Sequence, residues 1–223
     1  AVGGTGDVVA AWRSDSRCAA RVDLDAGTVR WSSSYDVEPL PGAPSRSIPS
    51  PGRMLVVTGL DTVAVDVADG ATTVVQPHED EPRWPVGVVG ATAIFRSSHA
   101  VLARDVVTAK LLWSTPVPQL GMPRLRTEVL SSAGAVTVVA TDLEVGTVST
   151  RSVDLATGSL GPWVLRAELA PIPGAEDDLV MPGRWTQYAS LPPVGGRVTI
   201  APGPWVTNIA LSGPVDSWSW PGH

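Results

Sequence analysis

The densest group of side chains able to do chemistry is His78-Glu79-Asp80-Glu81, followed closely by Arg83 and Trp84. Carboxylates flanking an imidazole can bind a divalent cation, and an exposed indole can anchor a protein partner. Successive residues of a strand point to opposite faces, so convergence on a metal would need a curled loop. A solvated acidic loop is the plainer reading, and no metal site is expected. Glu176-Asp177-Asp178 reads in the same way, as a solvated acidic run. Both runs fall in the same kind of connecting segment, so together they are candidate partner-binding loops on one rim.

Other chemistry finds little support. There is no Gly-x-Ser-x-Gly elbow, no phosphate-binding Gly-Lys-Ser/Thr loop, no His-Glu-x-x-His and no Cys-x-x-Cys. His99 lies just before an expected strand and His223 is terminal, and nothing in their spacing supports a Ser/His/Asp triad. The one cysteine, Cys18, cannot form an internal disulfide and reads as a small packing residue. With 16 basic against 22 acidic residues the net charge is −6, so the general attraction to phosphate backbones or anionic lipid is missing. No nucleic-acid partner is expected. Lys110 is the sole lysine among those basic residues, an arginine skew that reads as a GC-rich, actinobacterial-type genome. No run reaches the ~20 apolar residues that span a bilayer. The chain starts at Ala1 without methionine, which leaves room for a leader or membrane anchor upstream.

The aspartates themselves recur in a phrase: Asp, then glycine four residues on, then an apolar residue, often tryptophan, eight residues on. Asp23, Gly27 and Trp31 form the first copy, and Asp66, Gly70 and Val74 the second. The third keeps Asp105 and Trp113 with Ala109 in place of glycine; the fourth is Asp154, Gly158 and Trp163 with one extra residue. A fifth, weaker copy ends at Trp218, with Ser212 for the aspartate. The first four aspartates lie 43, 39 and 49 residues apart, and roughly 40 to 50 residues is the length of a four-stranded propeller blade. Regular recurrence points to turn capping by Asp rather than catalysis. Trp31, Trp113, Trp163 and Trp218 read as wedges whose worth is packing area; Trp84, Trp185 and Trp205 stand outside the phrase.

The elements that would position these residues are strands. Twenty-two glycines and 21 prolines punctuate segments rich in valine and threonine, and helical apolar spacing is scarce. Expected strands are Asp7 to Trp12, Cys18 to Asp23 and Thr28 to Ser32, then Met54 to Thr58 and Thr62 to Val67. Gly90 to Phe95, Ala100 to Asp105 and Lys110 to Ser114 follow, then Ala135 to Thr141, Val148 to Leu155 and Ser159 to Leu165. Val198 to Ala201, Val206 to Leu211 and Asp216 to Trp220 come last. Residues 36–53 and 76–87 read as long loops, and the innermost strand is hard to place in most units. The expected fold is therefore all-β: a β-propeller of about five four-stranded antiparallel blades in one domain, near 1–35, 45–76, 88–116, 132–166 and 185–223. Ring closure, with the N-terminal strand completing the last blade, is part of that expectation.

The stretches Ala64-x-Asp66…Gly70, Ala103-x-Asp105…Trp113 and Asp154-x-x-Thr157-Gly158…Trp163 resemble the repeat of the PQQ-like, quinoprotein-type propeller family. The resemblance implies a tryptophan wedged between neighbouring blades. It also implies a ring of seven or eight blades, of which these five would then be a part. Enzymes of that family hold pyrroloquinoline quinone with a disulfide between adjacent cysteines, a tryptophan floor, a Ca²⁺ site of Glu, Asn and Asp, and a catalytic aspartate. Here Cys18 stands alone and Asn208 is the sole asparagine, so no cofactor and no catalytic residue are expected. The resemblance then points to the non-enzymatic branch: an extracytoplasmic scaffold or accessory subunit of an envelope-associated complex that binds protein partners. The competing readings are a PQQ-dependent dehydrogenase-like enzyme and a ligand-sensing ectodomain.

Overall fold

A computed structural model describes residues 7–12, 18–34, 46–50, 52–58, 61–77, 84–118, 120, 125–132, 134–142, 145–168, 188–190, 197–202, 205–211 and 217–221. All its regular structure is strand. The first sheet holds β1 (Asp7–Trp12), β2 (Cys18–Asp23) and β3 (Thr28–Ser34). The second holds β4 (Arg46–Ser50), β5 (Arg53–Thr58), β6 (Asp61–Asp66) and β7 (Thr72–Gln76). The third holds β8 (Trp84–Val89), β9 (Thr92–Arg96), β10 (Ala100–Asp105) and β11 (Leu111–Pro116). The fourth holds β12 (Leu125–Ser132), β13 (Ala135–Asp142), β14 (Thr147–Val153) and β15 (Val164–Glu168). The fifth holds β16 (Tyr188–Ser190), β17 (Arg197–Pro202), β18 (Trp205–Ala210) and β19 (Ser217–Pro221).

Every sheet is a meander whose strands neighbour one another in chain order. This is the construction of β-propeller blades, and the fold class is all-β propeller. β1 pairs with β2 in register Asp7 to Asp23, and the fifth sheet draws all four of its strands from its own segment. The expected loan of the N-terminal strand to the last blade is therefore corrected.

The chain forms two compact units, residues 1–97 with 101–114, and 98–100 with 115–223. In the first unit the second sheet is covered on both faces, which follows from strand alternation. Met54, Val56, Val63 and Val65 pack with Ala19 and Trp31 of the first sheet. Leu55, Ala64 and Val75 point the other way, to Ala93, Phe95, Leu102 and Val106 of the third. Burial on both faces explains why β5 and β6 read as nearly unbroken apolar runs. In the second unit Val139, Val148 and Ala167 of the fourth sheet meet Val198, Ile209 and Leu211.

The first strands of the sheets are where expectation and structure part. β4 runs through Pro49, inside the segment read as a loop, and pairs with β5 from Arg46 opposite Val57 to Ser50 opposite Arg53. β8 begins at Trp84, also inside an expected loop, and carries Pro85 beside a bulge. Both are edge strands, where a missing N–H need not break a ladder. β12 lies ahead of the expected start of its blade, its apolar residues interrupted by Arg126, Thr127 and Glu128.

Candidate functional site

Each described aspartate of the repeat caps the hairpin it opens. Asp23 Oδ1 accepts the amides of Asp25 and Ala26 at 3.0 and 2.9 Å, and Oδ2 takes the Arg30 guanidinium at 2.8 Å. Asp105 Oδ1 accepts the Val107 and Thr108 amides and the Thr108 hydroxyl at 3.0, 2.7 and 2.9 Å. Asp154 repeats this with Ala156 and Thr157 at 3.0, 2.8 and 2.9 Å. In the second sheet Asp66 Oδ1 accepts the Ala68 amide at 2.9 Å and Oδ2 lies 3.2 Å from Arg53.

The loop closes on the backbone as well. The amides of Gly70, Ala109 and Gly158 bond the carbonyls of Asp66, Asp105 and Asp154 at 2.9, 2.9 and 2.7 Å. That geometry needs a left-handed residue four places after the aspartate: Gly27, Gly70 and Gly158 have φ of 63°, 79° and 75°, and Ala109 takes 58° at a steric cost.

Hydrogen bonds to the ionised form hold the carboxyls of Asp23, Asp105 and Asp154 below the ordinary aspartate range. For Asp23 the Ala26 amide acts most strongly, then Arg30. For Asp105 and Asp154 it is the amide and then the hydroxyl of Thr108 and of Thr157. Acceptors so engaged are poorly placed to act as bases or metal ligands. Among the described residues no three His, Cys, Asp or Glu side chains cluster as metal ligands.

The same hairpins join sheet to sheet. Trp31 leans from β3 onto the Asp66 turn, where its Nε1–H donates to the Val67 carbonyl at 3.0 Å. Arg21 Nη1 donates to the same carbonyl at 3.2 Å, and Ser33 Oγ donates to the carbonyl of Gly70. The indole packs against the glycine: a Cβ on Gly70 would meet Trp31 Cε3 at 2.6 Å and Cδ2 at 2.7 Å. Glycine is thus required twice over, for its φ and for the indole. In the second unit Thr115 Oγ1 donates to the Gly158 carbonyl at 2.8 Å, as Ser33 does to Gly70. These hydroxyls were missed in the sequence, although Trp31-x-Ser33 and Trp113-x-Thr115 show them two places after each tryptophan.

The remaining phrase positions behave differently. Trp113 is buried, at 8 % exposure. Val74 is exposed: a bulge in the β6–β7 ladder turns Val75 inward instead. Trp163 precedes β15 and is 36 % exposed, with the Arg151 guanidinium 5.0 Å over its ring. It is thus more exposed than Trp113 and carries a cation of its own sheet over its ring. Desolvation there lowers the pKa of Arg151. Trp218 stands opposite Asn208 in the β18–β19 ladder.

Of the candidate partner-binding residues, His78, Glu79, Asp80, Glu81, Arg83, Glu176, Asp177 and Asp178 lie outside the described residues. Trp84 is described, 51 % exposed at the start of β8, with Arg96 5.5 Å over its ring. His99 Nδ1 shares a hydrogen bond with the neighbouring Ser98 hydroxyl at 3.0 Å. Among the described residues no helix is long and apolar enough to cross a membrane.

No protein-family model matches the chain, and no curated protein does. Solved structures do. The N-terminal domain of Nup159 is similar over 95% of this chain and 53% of its own, at 12% identity and a TM-score of 0.45. A complex of the fission yeast SREBP-SCAP binding domains aligns over 83% and 52%, at 14% identity and 0.48. A prolyl endopeptidase aligns over 92% and 30%, at 13% identity and 0.41. The chain spans about half the length of the first two. These likenesses concern the fold alone.

Proposed function

We propose that this chain is a non-catalytic propeller scaffold of the PQQ-like repeat type, working outside the cytoplasm as an accessory subunit of an envelope-associated complex. The observation that supports it best is that the repeated polar residues serve the frame. Each described aspartate binds amide hydrogens of its own turn, and Trp31 and Ser33 hold the next turn. The chain varies in the connections between such units, and variable loops on a rigid scaffold are where recognition sits. The acidic segments at 78–83 and 176–178 are the docking elements in this reading, with Trp84 as an aromatic anchor.

The test is site-specific photocrosslinking from positions 80 and 177 in the native host. A shared protein adduct at both positions, lost when Glu79 and Glu81 become lysine, is the expected result. Adducts indifferent to that charge reversal would refute the docking role. Separately, substrate-dependent dye reduction on adding pyrroloquinoline quinone and Ca²⁺ would replace the scaffold reading with a dehydrogenase.

A further inference from the structure

The second hairpin carries a residue pair that the other copies of the turn lack. Just before the left-handed residue stand Ala26, Thr108 and Thr157 in those copies, but Asp69 here, and Asp69-Gly70 is the sole Asp-Gly pair of the chain. In an open chain such a pair is chemically unstable. The nitrogen of the following residue attacks the side-chain carboxyl, and glycine places no Cβ in the way of that approach.

The fold holds both reacting groups. The nucleophile, the Gly70 nitrogen, donates its hydrogen to the Asp66 carbonyl at 2.9 Å. The electrophile, the Asp69 carboxyl, accepts the Ala71 amide through Oδ1 at 2.8 Å. To close a ring, Gly70 must turn toward the Asp69 side chain, and the first sheet prevents it. Ser33 Oγ donates to the Gly70 carbonyl, and the Trp31 ring fills the space beside the Gly70 Cα. Asp69 is exposed and Gly70 is buried, so water reaches the carboxyl while the nitrogen stays fixed under the indole.

We propose that Asp69-Gly70 is a site of backbone isomerisation gated by Trp31, closed while the first sheet packs on the second and reactive when the two part. In the open state the Gly70 nitrogen bonds to Cγ of Asp69. The hydroxyl of the protonated carboxyl leaves with the nitrogen's proton as one water, giving a five-membered succinimide. Water then adds to either ring carbonyl and breaks its bond to nitrogen. Opening at the Cγ side restores aspartate; opening at the main-chain carbonyl leaves an isoaspartyl link through Cγ. No co-substrate other than water is consumed. The isoaspartyl link adds one carbon to the main chain between Asp66 and Gly70, so the turn that Trp31 covers cannot re-form and the junction stays open. Neither acidic segment takes part, so failure of this proposal leaves the scaffold reading standing.

Electron-transfer fragmentation of the tryptic peptide 54–83, which distinguishes isoaspartate from aspartate, tests it after incubation of the whole chain. Isoaspartate at position 69 is expected to form at least about tenfold more slowly in native buffer than in urea. Trp31→Ala should bring the native rate close to the urea rate. Ser33→Ala, which removes only the hydroxyl bond to the Gly70 carbonyl, should raise it about threefold and stays readable even if Trp31→Ala fails to fold. Val139→Ala, a core truncation in the second unit, should leave it unchanged. Equal rates in native buffer and urea, no response to Ser33→Ala, or an equal rise in Val139→Ala would overturn the proposal.

Discussion

The two junctions of the first unit solve one problem in different ways. Between the first and second sheets an indole and a hydroxyl from β3 bind a turn that ends in Gly70. Between the second and third, Val75 and Val106 fill the space, no tryptophan stands at the phrase position, and the receiving turn ends in Ala109. The difference teaches that the two residue choices are linked. A methyl group at Gly70 would sit 2.6 Å from the Trp31 ring, whereas an alanine survives where valines do the packing.

The sharpest way to break that comparison is Gly70→Ala. Overpacking against the indole added to a left-handed alanine is expected to destabilise the chain by roughly 2–4 kcal/mol, read by urea denaturation. In a Trp31→Val background the same change should cost only about 1–2 kcal/mol, leaving the strain of φ alone. A double-mutant cycle with no coupling would show that the indole does not dictate the glycine. Ala109→Gly should have a smaller effect of opposite sign. Relief of the left-handed strain outweighs the entropy glycine adds to the unfolded chain, for a gain of about 0.5–1 kcal/mol in the same assay.

The smallest expected effect is on pH. The carboxyls of Asp23, Asp105 and Asp154 lie below the ordinary value of 3.8 when folded. A depressed folded pKa contributes stability that is fully present above the ordinary value and is lost as pH falls through the folded one. Stability measured from pH 6 to pH 2 should therefore fall below about pH 4, and Asp105→Asn should flatten that decline slightly. An unchanged profile would mean that the Asp105 cap does not contribute to the acid limb.

Much of this frame was legible in the residues. The interval between aspartates and the glycine four places on fixed the hairpins, because a turn that needs φ near +70° leaves few residue choices. The span around β13 followed from its valine and threonine content. The first strands were not legible. Pro49 and Pro85 read as breakers, and only an edge position, set by tertiary pairing, makes them tolerable. Nor could sequence place the bulge that exchanges Val74 for Val75, since one inserted residue reverses which side chain faces inward. The direction in which a tryptophan leans, and hence what receives it, emerges only once the sheets are side by side.

The hydrogen bond from the Trp31 indole to the Val67 carbonyl also supplies a gauge of separation. Its proton belongs to one sheet and its acceptor to the next, so its exchange with deuterated solvent reports the parting of those two sheets. The ladder amides within each report the melting of that sheet. One nitrogen resonance, followed beside its backbone neighbours, can thus tell whether this molecule opens as a book opens, along a spine, or comes apart leaf by leaf.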